Sequence, residues 1–290
     1  MPRAAGVPVS LVSARTRDGV VLDGVAAHPR GRRRTALLWV HGLGSTFSSG
    51  QPLIRALSAR LNAAGVGYFK LNTRGHGVVT RAGARLAGAA FERFGESVHD
   101  VRGAIALAVA SGYRRVILAG HSTGANKVLH YMARTRDRRV AGLILLGPVS
   151  DIAGERERVG RRVLARRVAA AQRIARRDPE VLVPRAWGFR SAARFVSLFR
   201  PGEAEDVFQY YRPDADWRAL GRIRVPTAVI VGGRDEYLDR RAADLVAAFE
   251  RHAVATRGFA GIVIPRATHG FRGHEAVLAR QVVRWARRIG

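Results

Sequence analysis

The 290-residue chain contains no cysteine, which excludes disulfides, thiolate metal centres and a cysteine nucleophile together. Lysine is nearly absent too: of 50 basic residues only Lys70 and Lys127 are lysines, leaving 48 arginines. Acidic residues are few, 22 in all, so the formal net charge is +28 with histidines neutral. Long apolar runs are missing. The stretches 36–40, 116–119 and 143–146 fall far short of the ~20 residues a spanning helix needs, so no membrane span is expected. Residues 1–14 carry one arginine and are interrupted by Pro8, which reads as a first β-strand rather than a signal peptide and leaves a cytoplasmic location as the expectation.

The arginine excess has two readings. Clustered positive charge recruits polyanions, so a basic surface for RNA, DNA or anionic lipid is one, with residues 153–177 as its strongest segment: nine arginines against Glu155 and Glu157. The other is the codon bias of a GC-rich genome, with those arginines forming a solvated helix face over inward Val159, Val163, Ala170 and Ile174. The second is favoured. Arginines are scattered over most of the chain and few stand beside the aromatic residues that base stacking requires, so no nucleic-acid partner is expected.

What the chain does have is core material: 47% hydrophobic residues, enough for one large domain and against disorder. Residues 7–15, the turn Asp18-Gly19 and residues 20–22 read as a hairpin, and the apolar run Thr35–Val40 as a buried strand closed by His41-Gly42-Leu43-Gly44. Helical spacing over 53–64 stops at Gly65, and a strand follows over Val66–Leu71. After a glycine-rich loop at 72–88, alternation continues with a helix at 97–111, a strand at 116–119, a helix at 124–136 and a strand at Val140–Leu146. Residues 150–213 then contain no convincing strand; helices are expected at 153–177 and 191–199, separated by prolines. Alternation resumes with a strand at 227–231, a helix at 241–252, a strand at 261–264 and a helix at Glu275–Ile289. This pattern predicts a doubly wound, mostly parallel α/β sheet, with residues 1–149 and 214–290 as the core and 150–213 inserted into it as a helical lid, or equally as a plain surface insertion covering a sheet edge.

The strongest chemical signal is Gly120-His121-Ser122-Thr123-Gly124, directly after one strand and before a helix. G-x-S-x-G in that context is a nucleophile elbow: a strained turn lifts the serine hydroxyl clear of the sheet, and glycines two positions away let backbones pass closely. A serine hydroxyl needs a base, and the base an orienting carboxylate. The candidates follow in chain order, Asp235 just past the strand at 227–231 and His269 just past the strand at 261–264. Asp239 is the rival acid, with helix capping as its alternative role, and His274 the rival base. His41 and His121 flank the site as packing or hydrogen-bonding residues. Donors for an oxyanion are expected at the backbone N–H groups of Thr123 and Leu43. The chain has no G-x-x-x-x-G-K-[ST], no H-E-x-x-H and no G-x-G-x-x-G opening a helix after the first strand, so neither a phosphate loop, a metal nor a dinucleotide cofactor is expected.

Together, His41-Gly42, Arg74-Gly75-His76-Gly77, the Ser122 elbow, Asp235 and His269 resemble the α/β-hydrolase superfamily over nearly the whole chain. More narrowly, residues 120–131, 145–151 and 191–198 resemble the branch that includes fungal siderophore-ester hydrolases and bacterial relatives, from which Asn126-Lys127 departs. The resemblance implies a cofactor-independent serine hydrolase acting on a small-molecule ester, of a hydroxamate siderophore or another bulky acyl compound, while a basic rim on the inserted segment would favour anionic substrates. Hydrolysis of a lactone, thioester, amide or carbon–carbon bond on the same fold is the alternative.

Overall fold

The computed structural model describes residues 6–31 and 34–289. The start of the N-terminal segment read from the sequence lies outside them, as do Arg32 and Arg33. An antiparallel pair, β1 (Ser10–Arg15) and β2 (Val21–Ala27), opens the chain and is followed by β3 (Thr35–Val40), α1 (Gln51–Ala63) and β4 (Val66–Leu71). Then come the hairpin β5 (Thr80–Ala82) and β6 (Arg85–Ala87), α2 (Ser97–Ala110), β7 (Arg115–His121), α3 (Thr123–Thr135) and β8 (Val140–Leu146). The helices α4 (Asp151–Val159), α5 (Arg161–Arg177), α6 (Ala192–Phe199) and α7 (Arg218–Gly221) precede β9 (Thr227–Gly232), α8 (Ala242–His252), β10 (Phe259–Ile264) and α9 (Glu275–Ile289).

Eight strands form one sheet in the order β1-β2-β4-β3-β7-β8-β9-β10, parallel from β4 to β10 and antiparallel at β1 and β2. Because side chains alternate along a strand, each central strand feeds two cores. Leu38 and Val40, Leu118, Leu145 and Val231 pack under α2, α3 and α8, whereas Leu37 and Trp39, Ala119, Leu146 and Ile230 pack under α1 and α9. The chain leaves β3 toward β4 and returns across it to β7. The carboxyl ends of β3 and β7 therefore flank the point where winding reverses, the place where open α/β sheets leave a crevice.

The sheet and its mostly parallel character match the sequence expectation; two local readings need correction. Residues 72–88 are not loop throughout, since Thr80–Ala82 and Arg85–Ala87 pair around a glycine turn at Gly83, φ +63°. The single helix read over 153–177 is two, broken at Gly160, whose backbone (φ 82°, ψ 146°) no helix tolerates. The buried stripe of α5 is Leu164, Val168 and Ala171 rather than Val163 and Ala170, and it meets Phe195, Leu198 and Phe199 of α6 in an apolar cluster separate from both faces of the sheet. Most arginines of α5 point to solvent.

Arg74, on the loop after β4, is buried and ties four segments together. Its guanidinium meets Asp18 at 2.9 Å, Glu96 at 2.6 Å and Asp100 of α2 at 2.9 Å, while its backbone N–H donates to Asp100 Oδ2. Burial pushes the Asp100 carboxyl up and Arg74 opposes that shift. Arg74→Met leaves Asp100 buried without its counter-charge and should cost about 3–5 kcal/mol in urea unfolding. Adding Asp100→Asn should recover part of the loss, and a neutral effect of Arg74→Met would show that the cluster holds nothing in place.

Candidate active site

Ser122 terminates β7 with φ 56° and ψ −129°, a conformation that a non-glycine residue adopts only under constraint. The constraint is steric and lies in the neighbouring glycines. A Cβ on Gly120 would stand 2.2 Å from Gly124 O, one on Gly124 would stand 2.2 Å from Val40 O, and one on Gly42 would stand 2.9 Å from Ser122 Cβ. Three backbones thus meet at van der Waals limits around the serine. Its N–H is held by Leu146 O at 2.9 Å, which anchors the elbow to the end of β8.

Asp235 follows β9 and His269 follows β10, and the fold brings them together: His269 Nδ1 donates to Asp235 Oδ2 at 2.9 Å, with the Asp235 side chain fully buried. The other Asp235 oxygen accepts the N–H of Tyr237 at 3.1 Å. A proton on Nδ1 leaves Nε2 as the basic nitrogen, and Nε2 is buried with no hydrogen-bond partner among the described residues. Glu236 accepts the His269 N–H at 2.9 Å, and the Tyr237 ring packs edge-on against the imidazole at 4.7 Å. The rivals lie elsewhere. Asp239 pairs with Arg240 at 2.8 Å, and His274 Nδ1 donates to Arg272 O at 3.2 Å. Between elbow and imidazole stands Gly147, the residue after Leu146; with φ +50°, its absent Cβ would lie 2.9 Å from His269 Cε1 and 3.4 Å from Asp235 Oδ2.

The backbone N–H groups of Leu43 and Thr123 donate to no protein acceptor among the described residues. The Leu43 N–H is aimed by a buried histidine. Thr73 N–H donates to His41 Nε2 at 3.0 Å, so the His41 proton sits on Nδ1 and is donated to Gly42 O at 2.8 Å. Gly42 O and Leu43 N–H belong to one trans peptide and point opposite ways, so fixing the carbonyl fixes the donor. Burial, with Lys127 nearby, pushes His41 down to about 3, and burial together with His269 pushes His121 down to about 4. Both rings are therefore neutral near pH 7. His121 Nε2 donates to His269 O at 2.9 Å.

Four charged residues assigned no role in the site on sequence grounds lie beneath the elbow. Lys127 of α3, with no exposed side-chain surface, meets Glu92 at 2.6 Å and donates to Thr73 Oγ1 at 3.1 Å. Glu92 meets Arg194 of α6 at 3.5 Å, and Arg194 forms a two-pronged pair with Glu205, whose carbonyl accepts from Asn126. Burial pushes Glu92 up, but Lys127 and Arg194 outweigh it and hold the carboxyl below its usual range. The network links the helix behind Ser122 to residues 192–205. Its sequence signals were the rarity of lysine and the departure of Asn126-Lys127 from the branch pattern.

The architecture is that of the α/β-hydrolase fold. The chain is similar over its full length to the siderophore hydrolase EstB from Aspergillus fumigatus (21% identity, TM-score 0.70, 100% of this chain and 99% of that one). It is similar also to a soluble variant of monoglyceride lipase from Saccharomyces cerevisiae (15%, 0.69, 98% and 97%) and to the Pyrococcus furiosus esterase Pf2001 (18%, 0.66, 100% and 97%). No curated protein matches it by sequence. Residues 25–286 match the model of a family described as "Protein of unknown function (DUF1749)", and the chain belongs to that family.

Two outcomes are expected from this geometry. Gly147→Ala, the smallest side chain that meets the His269 ring, should keep a native circular dichroism spectrum at some cost in stability while displacing that ring, and any hydrolysis that depends on it should fall by about 100-fold; an unchanged rate would show that Gly147 does not set the ring. The neutral buried histidines give the second. Between pH 6.5 and about 4 the unfolded chain binds protons that His41 and His121 refuse when folded, so stability is full above 6.5 and declines as pH falls through that window, by several kcal/mol in total, on the order of 1.4 per pKa unit. Urea unfolding at pH 7 and pH 4.5 checks it, and equal stabilities would contradict it.

Proposed function

We propose that this protein is a serine hydrolase that cleaves a carboxylic ester through an acyl-enzyme. Ser122 attacks the ester carbonyl, His269 Nε2 takes the hydroxyl proton and returns it to the leaving alcohol, and Asp235 holds the imidazole in the Nδ1–H tautomer. The N–H groups of Leu43 and Thr123 hold the oxyanion, and water activated by His269 then releases the acid. The observation that carries this reading is the combination of a left-handed Ser122 with a buried Asp235–His269 pair whose Nε2 is uncommitted. A metal or a cofactor has no step in it. The esterase and hydrolase names among the structurally similar proteins agree with it at the level of reaction class.

In this reading residues 150–213 form a lid over a core built from 1–149 and 214–290, since their helices carry an apolar cluster of their own and contact the core through the Glu92–Arg194–Glu205 network. The exposed arginines of α5 favour an anionic substrate, and the likeness to a siderophore hydrolase favours a bulky acyl group. Lactones and thioesters would react by the same steps.

Ser122→Ala should abolish both hydrolysis of short p-nitrophenyl esters and labelling by a fluorophosphonate while the protein stays folded; retained labelling would remove Ser122 as nucleophile. Asp235→Asn should lower kcat by about 10,000-fold and Asp239→Asn should not, because only the former disturbs the His269 tautomer.

A further inference from the structure

A cavity of about 540 Å³ lies at the carboxyl ends of β3, β4 and β7, on the α1 and α9 side of the sheet. Neither Ser122 nor His269 lines it, yet Gly42, His121 and Gly270 do, each one residue away from Leu43, Ser122 or His269. The reason is the strand alternation: His121 continues the face of Ile117 and Ala119, while the next residue turns onto the opposite side to begin α3. The cavity is therefore the reverse side of the loops that carry the proposed chemistry. Its volume is in the range of small-molecule sites, typically ~300–1,000 Å³.

Its charged groups are few: Lys70, Arg272 and Glu275. Lys70 is only 4% exposed, and no carboxylate lies within ion-pair distance of it among the described residues; its single protein partner is Ser49 O, at 2.5 Å. Burial pushes the ammonium down to about 8. An ammonium with one carbonyl partner retains two N–H donors for a ligand. Arg272 and Glu275 at the mouth offset one another, which leaves the lining one positive charge in excess. Since Nε2 of His121 donates to His269 O, its Nδ1 is an acceptor. Trp39, Leu53 and Phe271 supply the apolar wall.

We infer that this cavity is a binding site, separate from Ser122, for a compact organic acid whose carboxylate pairs with Lys70 and whose body lies against Trp39, a hydroxyl or amide N–H of the ligand reaching His121 Nδ1. The chain itself adds a reason to single out the anchor. In a sequence that uses arginine at nearly every basic position, an ammonium is kept here, with a single backbone carbonyl as its partner.

Benzoate and its uncharged counterpart benzamide are the probes, titrated by calorimetry into the full-length protein while tryptophan fluorescence is followed. Benzoate should bind wild type and Ser122→Ala equally, at least tenfold more tightly than benzamide, and its effect on fluorescence should vanish in Trp39→Phe. Lys70→Met should lose benzoate binding while retaining a native circular dichroism spectrum. In case that variant fails to fold, Gln51→Trp, which narrows the mouth from an exposed position and leaves Lys70 untouched, should also abolish binding. No heat with wild type at millimolar benzoate, equal affinity for benzamide, undiminished binding in Gln51→Trp or folded Lys70→Met, or loss of binding in Ser122→Ala would each overturn the inference. The outcome is independent of whether Ser122 proves to be a nucleophile.

Discussion

The close approach of β3 to the first turn of α3 is the constraint from which the site follows. Gly124 sits against Val40 O so tightly that a Cβ would stand 2.2 Å from it, and Gly120 faces Gly124 O at the same distance. Backbones this close force the chain between them into a sharp reversal, and Ser122, in the middle, is left with φ 56°. The strain, on the order of 1–3 kcal/mol for a non-glycine residue in that region, is over-determined by parallel strands on both sides. The same approach brings Gly42 against Ser122 Cβ and sets the Gly42–Leu43 peptide beside the serine. A side chain at any of these glycines would separate the parts that the proposed reaction needs together.

The few lysines illuminate the many arginines. Both lysines are buried, at 4% and 0% exposure, and both contact loops of the site: Lys127 through Thr73 and Glu92, Lys70 through Ser49. Arginine dominates where solvent tolerates any cation, as on α5, and a compact ammonium appears where the partner is one carbonyl or one carboxylate in a closed space. The +28 charge is thus mostly a property of the solvated surface. Arg74 and Arg194 are the exceptions: buried, multiply paired arginines whose planar forks match the carboxylates of Asp100 and Glu205. Breaking either pair would strand a carboxylate away from water.

Most of the fold was legible because its signals are local. Apolar runs ended by glycine marked β3, β7 and β9, and helical periodicity marked α1, α2 and α9 to within one or two residues. The break at Gly160 was missed because an isolated glycine in an Ala- and Arg-rich helical pattern is usually tolerated, and only the φ and ψ adopted there end α4. The small hairpin β5–β6 was missed because three-residue strands carry too little alternation to register. Residues Ser122, Asp235 and His269 were nominated by their places at strand ends, and Asp235 was preferred to Asp239 on the same local ground. The contact of Asp235 with His269 is set by how β9 and β10 pair.

The sequence by itself determined the alternating α/β order, the elbow and the chain order of candidate acid and base, because each depends on neighbours within a few residues. The tertiary structure decided what depends on residues far apart in the chain: that Gly147 must be bare because an imidazole 122 positions later packs on it, that His41 aims the Gly42 peptide through Thr73, and that Lys127, Glu92, Arg194 and Glu205 form one buried network. Charge pairing and close packing depend on distances between atoms. Those distances exist only once the sheet has brought β3, β7, β8, β9 and β10 side by side.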